Sequence, residues 1–114
     1  MKTIDVELLN RVSAKAKASE RLRMNYNFHQ SLEDKCHRFL NAVVPGTVVP
    51  IHRHSTKDES FVILRGKVRV TTHNDDGAVI GDVVLRCERG NYGVDILKNV
   101  WDRMESLESV GTLM

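Results

Sequence analysis

The chain has 114 residues, of which 41% are hydrophobic and 28% are charged, as is usual for a single globular domain. Its formal net charge of +2 is too small to indicate nucleic-acid binding, and no apolar run approaches the ~20 residues of a membrane span. The N-terminal residues are partly acidic and lack the apolar core of a secretory signal, so we expect a cytoplasmic protein. Because Cys36 and Cys87 have no motif spacing, we expect them to be free, partly buried thiols.

Residues 4 to about 19 are predicted to form one helix. Its apolar residues recur on one helical face, with Lys and Glu residues opposite: Ile4, Leu8, Leu9, Val12 and Ala16. A polar connector, roughly Ser19 to Asp34, follows. We therefore expect residues 1–35 to be a helix and connector that precede a β-rich region, residues 36–114, within one folded unit. The last predicted strand runs to Met114, which suggests a truncated C-terminus.

Short runs of Val, Ile, Leu and Phe, separated by turn residues, predict eight strands. They lie near residues 36–43, 47–53, 59–65, 67–73, 78–86, 92–96, 102–107 and 110–114. Residues 74–77, Asn-Asp-Asp-Gly, have the composition of a hairpin turn, and residues 88–91 predict another turn. His73 ends a strand beside the first of these turns, so we expect it to be exposed. Strands at this spacing are typical of a sandwich or barrel.

Two histidines and a glutamate lie within eight residues in the stretch GTVVPIHRHSTKDESFVILRG, residues 46–66. Because side chains alternate along a strand, His52 and His54 would share one face. A turn at residues 55–58 would then bring Glu59 beside them. Two neutral imidazoles and one carboxylate are a ligand set for a divalent metal ion.

This spacing, G-x5-H-x-H-x4-E-x6-G, resembles the first motif of the cupin superfamily at all five fixed positions. The resemblance implies an all-β fold, a cupin jelly-roll β-barrel preceded by an N-terminal α-helix. In such a barrel His52, His54 and Glu59 would bind a metal ion inside, and Gly46 and Gly66 would allow the strands to turn. The implied cofactor is a divalent ion, namely Zn, Fe, Mn or Ni, and the implied assembly is a homodimer.

The run RLRMNYNFHQSLEDKCHRFLNAVVPGTVVPIHRH, residues 21–54, looks like the WbuC-type cupin metalloproteins. These proteins share an N-terminal helix, a connector rich in Arg and Asn with one His, and then the barrel. They are often associated with bacterial surface-polysaccharide gene clusters. The resemblance therefore implies a link with sugar metabolism.

The segment ILKNVWDRMESL, residues 96–107, departs from the second cupin motif, which ends in Gly-x-Trp-His. Aligned on that ending, Asn99 replaces the glycine, Trp101 matches the tryptophan, and Asp102 replaces the fourth metal ligand. Three alternatives follow. In the first, Asp102 binds the metal ion as an oxygen ligand. In the second, the Asp102 side chain is too short to reach the ion, and the set of two histidines and one carboxylate leaves coordination positions open. In the third, Asp102 points to solvent and the affinity for the metal ion is weak. Trp101 itself is expected to be a core residue.

Three further polar residues are candidates for ligand binding. Asn27 and His29 lie in the connector, where they either close over the barrel mouth to bind a ligand or brace the connector by hydrogen bonds. Arg38 either binds an anionic group or is an ordinary surface arginine.

Two functions remain open from the sequence. The first is a metal-binding protein that acts on or binds a small polar ligand. The second is a non-catalytic module that binds or senses a small molecule with a degraded metal site. Asp102 is a candidate general base only if it is not a metal ligand, so the sequence does not decide whether the protein is an enzyme.

Overall fold

The computed structural model describes residues 1–47 and 49–108 and the backbone of residues 111–113. These residues form one helix, eight strands and a short 3-10 helix at Cys87–Arg89. In chain order the main elements are α1 (Val6–Ala18), β1 (Arg23–Asn27), β2 (Phe39–Val43), β3 (Glu59–Arg65), β4 (Val68–His73), β5 (Val79–Leu85), β6 (Gly93–Ile96), β7 (Trp101–Ser106) and β8 (Gly111–Leu113). No helix in the described ranges is long and apolar enough to cross a membrane.

Helix α1 begins where Asp5 caps it, since Asp5 Oδ1 accepts a hydrogen bond of 2.9 Å from the backbone N–H of Leu8. Glu7 in the first turn and Lys15 and Lys17 in the last turn complement the helix dipole. The predicted helix is therefore confirmed, although Ile4 precedes it and is exposed. Its buried apolar residues are Leu8, Leu9, Val12 and Ala16.

The strands form two antiparallel sheets that pack face to face. The larger sheet has the order β1-β2-β8-β3-β6, and the smaller has the order β5-β4-β7. Strand β1 lies within the predicted polar connector, where no strand was expected. The predicted hairpin turn at residues 74–77 is confirmed: it joins β4 to β5, the Asn74 N–H donates to the Ala78 carbonyl (3.0 Å), and Gly77 has a φ of +86°.

Two hydrophobic clusters hold these layers together. The first lies between α1 and the outer face of β1 and β2, where Leu40 and Ala42 are fully buried against the helix. The second fills the space between the sheets and includes Phe61 and Ile63 from the larger sheet and Val70 from the smaller one. Strand β2 thus buries Leu40 and Ala42 against the helix and Val43 between the sheets, which explains its apolar residues.

The prediction of an all-β cupin jelly-roll β-barrel is wrong. The described strands, together with α1, form a mixed fold of two open sheets and no closed barrel. Residues 49–53, predicted as part of a strand, pair through a single bridge between His52 and Asp102. Pro50 lacks the N–H that a central strand needs, so this segment does not join the sheets as a barrel strand. Of the last predicted strand, residues 110 and 114 lie outside the described residues.

The structure also tests the predictions made for His73 and for the two cysteines. His73 is buried, contrary to the prediction, because its Nδ1 donates to the Gly77 carbonyl (3.1 Å) and its Nε2 contacts the Thr71 hydroxyl (2.9 Å). Cys36 and Cys87 are free, as predicted; Cys87 is partly buried, whereas Cys36 is exposed, contrary to the prediction.

Candidate metal site and ligand cleft

The bridge between His52 and Asp102 brings two predicted ligands together across 50 residues of sequence. The His52 N–H donates to the Asp102 carbonyl (3.0 Å), and the Asp102 N–H donates to the His52 carbonyl (2.7 Å). The two side chains follow the backbone, so that His52 Nε2 lies 3.5 Å from Asp102 Oδ1. The Asp102 side chain is 1% exposed, which excludes the alternative in which it points to solvent.

His54 and Glu59 form the second pair of the site. Glu59 is the first residue of β3, and its Oε1 contacts Nε2 of His54 after the turn at residues 55–58. The rings of His52 and His54 lie edge to face with centroids 5.4 Å apart. The predicted proximity of His52, His54 and Glu59 is therefore present in the structure.

The electrostatics of the site follow from burial. Burial raises the pKa of Glu59 above its ordinary value of 4.5; the nearby Asp102 adds to the rise, while His54 and His52 oppose it. Burial also raises the pKa of Asp102 above 3.8, against the opposing effect of His52, His54 and His73. The pKa of each carboxyl group is thus raised by burial, while both histidines of the site act to lower it.

The four side chains are arranged as two His–carboxylate pairs. Within the described residues, no three or more His, Cys, Asp or Glu side chains are grouped closely enough to hold a metal ion as they stand. Asp102 Oδ1 is nevertheless buried without a hydrogen-bond partner in this part of the chain. A buried carboxylate oxygen in this state is costly, and a cation or donor beside it would relieve that cost.

Asn99 lies in the turn that precedes β7. It adopts a φ of +68°, a left-handed conformation that asparagine tolerates better than most residues. The Asn99 N–H donates to the His54 carbonyl with a distance of 2.7 Å. The turn before β7 is thereby tied to the segment that carries the two histidines.

A second cluster braces the same two segments from the other side. Arg53 lies over the ring of Trp101, with 4.5 Å between the guanidinium carbon and the ring centroid. The Trp101 indole N–H donates to Asp75 Oδ1 (3.1 Å), and Arg53 Nη1 lies 4.0 Å from the same oxygen. Sequence reasoning missed Arg53 and Asp75, although alternation places Arg53 opposite to His52 and His54.

Two cavities of about 1120 and 470 Å³ adjoin the site; His54 and Glu59 line both of them, and Asp102 lines neither. Both cavities are lined by Phe39, Asn41, His54, Glu59 and Phe61. His52 lines the smaller cavity only. We refer to the two cavities together as the cleft.

The predicted ligand-binding residues have different environments. Arg38 lines the larger cavity, whereas Asn27 and His29 line neither. Asn27 is an exposed residue of β1 opposite Phe39. His29 is buried and stacks on His37 with 4.3 Å between ring centroids, and its Nδ1 contacts both the carbonyl (3.1 Å) and the N–H (3.2 Å) of Arg38. A single tautomer satisfies one of these two contacts at a time.

The inner face of β1 and β2 supplies cleft residues that the sequence analysis missed. Arg23 and Asn25 of β1 and Asn41 of β2 line the smaller cavity. Their signal was the alternation R-x-N-x-N at residues 23–27, which was read as part of a connector. Because these residues are polar, their sequence did not indicate the strand that they form, which faces the site.

Comparison with known proteins places the chain in a family without an assigned function. Residues 4–85 match a family model described as a domain of unknown function (DUF6016), which is well over half of the chain. The chain belongs to the DUF6016 family. The matched region includes His52, His54 and Glu59 and ends before Asn99 and Asp102.

Beyond this family, no curated protein matches the DUF6016 chain. Among solved structures, it has a slight similarity to TehB from Haemophilus influenzae, with a TM-score of 0.46 and 17% sequence identity. That similarity covers 56% of this chain and 24% of the TehB chain. A likeness this limited supports no inference about function.

Proposed function

We propose that this protein binds a divalent metal ion through His52, His54, Glu59 and Asp102, and that it binds or acts on a small polar ligand in the adjoining cleft. The observation that carries the proposal is the buried Asp102 carboxylate, whose unpartnered Oδ1 faces His52 at 3.5 Å. Homodimer formation stays a prediction of the cupin resemblance.

The residues present fit a metal ion in their chemistry. Two imidazoles and two carboxylates supply nitrogen and oxygen donors, and the two carboxylates match the charge of a divalent cation. Such a set suits Zn²⁺, Fe²⁺, Mn²⁺ or Ni²⁺ better than a soft ion such as Cu⁺. His52 Nδ1 contacts the Pro50 carbonyl at 3.1 Å, and this type of contact orients a metal-binding imidazole with its other nitrogen free.

A bound divalent ion would supply Lewis-acid polarisation of a ligand oxygen. The protein's own contribution would be to orient the ligand and to shield it from water. The half-buried Phe39 and the buried Phe61 provide apolar walls of the cleft, and the Asn41 amide provides a polar group in the same lining.

The second candidate function is a non-catalytic module that binds or senses a small molecule without a metal ion. The observation that favours it is the direct contact between His54 and Glu59, since these side chains satisfy one another. In that case the two His–carboxylate pairs would be structural ion pairs, and the cleft alone would carry the function.

Metal analysis of protein purified without chelator distinguishes the two candidates. We expect the wild-type protein to retain metal, and metal-free protein to bind Zn²⁺, Mn²⁺ or Ni²⁺ in calorimetric titration. His54→Ala should lower the affinity by about tenfold or more. His37→Ala is a control for the loss of one imidazole from the chain, because His37 is exposed and lines the larger cavity but is not one of the four proposed metal ligands.

Absence of metal from the wild-type protein, together with no heat of binding for any of these ions, would exclude the metal-binding proposal. Equal metal affinities of wild type, His54→Ala and His37→Ala would show that the metal ion binds elsewhere in the chain.

A further inference from the structure

The charged residues that line the cleft are mostly cationic. The whole chain contains 17 Lys and Arg residues and 15 Asp and Glu residues. The cleft, in contrast, is lined by six Lys and Arg residues and only two Asp and Glu residues. The cationic residues are Lys2, Arg21, Arg23, Lys35, Arg38 and Lys57. The rest of the protein is therefore slightly acidic, and the positive charge is concentrated around the cleft.

These six cations are free to meet a ligand. None of them takes part in a salt bridge between described residues. The two acidic residues of the cleft are engaged, because Glu59 contacts His54 and Asp58 Oδ1 accepts a hydrogen bond of 2.8 Å from the Lys98 N–H. A concave surface with unpaired charges of one sign concentrates ligands of the opposite sign.

The floor of the cleft has groups suited to hydroxyls. Asn25 and Asn41 are register partners on β1 and β2, so their side chains leave the sheet on the same face. Asn41 Oδ1 is buried and has no hydrogen-bond partner within the described part of the chain. Phe39 and Phe61 line both cavities together with Asn41. Ligand pockets commonly combine apolar and aromatic walls with a few polar groups, and an amide can both donate a hydrogen bond to a hydroxyl and accept one from it.

We propose that the cleft binds a sugar phosphate, with the phosphate among the cations and the sugar hydroxyls at Asn25, Asn41 and the four-residue site. This inference rests on the proposed binding of a small polar ligand and specifies its class. Arg23 is the principal phosphate anchor, because it is half-buried, lies on a strand next to Asn25, and presents a planar guanidinium group.

Calorimetric titration with three probes tests the inference: glucose 6-phosphate, glucose and inorganic phosphate. Each is titrated into metal-free and Zn²⁺-loaded protein. We expect glucose 6-phosphate to bind more tightly than either fragment, with an affinity that falls as salt is added. Arg23→Gln should weaken its binding by about tenfold or more, since a charge-assisted hydrogen bond is lost.

Two further variants make the test specific. Asn41→Asp keeps the size of the side chain and places a negative charge in the lining of both cavities, so it should weaken glucose 6-phosphate binding at least as much as Arg23→Gln. Arg89→Gln removes an exposed cation of the 3-10 helix outside the cleft and should leave the affinity unchanged. Circular dichroism of each variant verifies that it is folded.

The inference is overturned if glucose 6-phosphate does not bind, if it binds no more tightly than inorganic phosphate, or if Arg23→Gln and Arg89→Gln bind equally well. The metal proposal fails separately. If the protein binds no metal but Arg23 still governs glucose 6-phosphate affinity, the cleft inference stands alone. If metal binds and no probe does, only the cleft inference is lost.

Discussion

At the scale of single residues, Asp102 has the most informative environment in the protein. Its side chain is 1% exposed, its Oδ1 has no hydrogen-bond partner among the described residues, and burial raises its pKa. Such a group is unfavourable for folding unless something compensates its charge. A residue that costs stability in this way is more often kept for a site than for packing.

We predict that Asp102→Asn makes the metal-free protein more stable at neutral pH, by about 1 kcal/mol, because the amide removes a poorly compensated buried charge. Chemical denaturation of metal-free protein measures the change. The control is Asp82→Asn, which removes an exposed carboxylate that is paired with Arg69 and should not stabilise the protein. A loss of stability in Asp102→Asn would mean that His52 already compensates the carboxylate.

Asn99 gives a second prediction at this scale. Its φ of +68° is accessible to asparagine and glycine but strained for a β-branched residue. We expect Asn99→Gly to leave the free energy of unfolding within about 1 kcal/mol of wild type and Asn99→Val to lower it by about 1–3 kcal/mol. Equal stabilities of the two variants, measured by urea denaturation, would contradict a conformational requirement at this turn.

At the scale of elements, one ion pair joins two strands on the exposed face of the smaller sheet. In the smaller sheet, Arg69 of β4 and Asp82 of β5 form two hydrogen bonds between guanidinium and carboxylate. The hydrogen bond from Arg69, together with the attraction of its charge, lowers the pKa of Asp82 below its ordinary value of 3.8. This exposed pair links neighbouring strands on the face opposite to the core.

The lowered pKa of Asp82 fixes the sign of a pH effect. The ionised carboxylate is favoured in the folded state, so its contribution to stability is present above pH 3.8 and is lost as the pH falls through the lowered value. We expect Arg69→Gln to return the pKa of Asp82 towards 3.8 and to reduce this acid-induced loss. A carbon-detected NMR titration of the carboxyl group measures the pKa; an unchanged value in Arg69→Gln would contradict the assignment.

Elements that depend on sequence neighbours could be predicted from the sequence, and those that depend on distant pairing could not. Local patterns correctly indicated α1, the turn at residues 74–77 and the proximity of His52, His54 and Glu59, because each depends on neighbours in the sequence. Strand β1 was missed because its inward-facing residues are polar, and polar alternation resembles a connector. The buried state of Asp102 depends on its bridge to His52, a pairing across 50 residues that no local pattern reveals.

At the scale of the whole molecule, the fold class depends on how strands pair over long distances. The spacing of apolar runs indicated many short strands, which the structure contains, whereas the barrel predicted from the motif is wrong. Whether the layers close into a barrel depends on residues 49–53, where Pro50 removes a backbone donor and one bridge remains. Motif spacing carried no information on that closure.

The four-residue site spans both sheets, and this leads to the last prediction. Glu59 begins β3 of the larger sheet, and Asp102 lies in β7 of the smaller one. A metal ion held by both would link the two layers and stabilise the folded state by about 2.7 kcal/mol at a free concentration one hundred times its Kd. Thermal unfolding with increasing Zn²⁺ should therefore show a rising Tm for wild type.

Glu59→Gln and Asp102→Asn should each remove most of this Zn²⁺-dependent rise, although they lie in different sheets, because each removes one anionic ligand. Asp82→Asn, an exposed carboxylate of β5 outside the site, should retain the full rise. If Glu59→Gln abolishes the rise while Asp102→Asn keeps it, the ion is held by His52, His54 and Glu59 alone. The link between the sheets through Asp102 would then be excluded, since an ion bound in that way contacts β3 and the histidine segment but not β7.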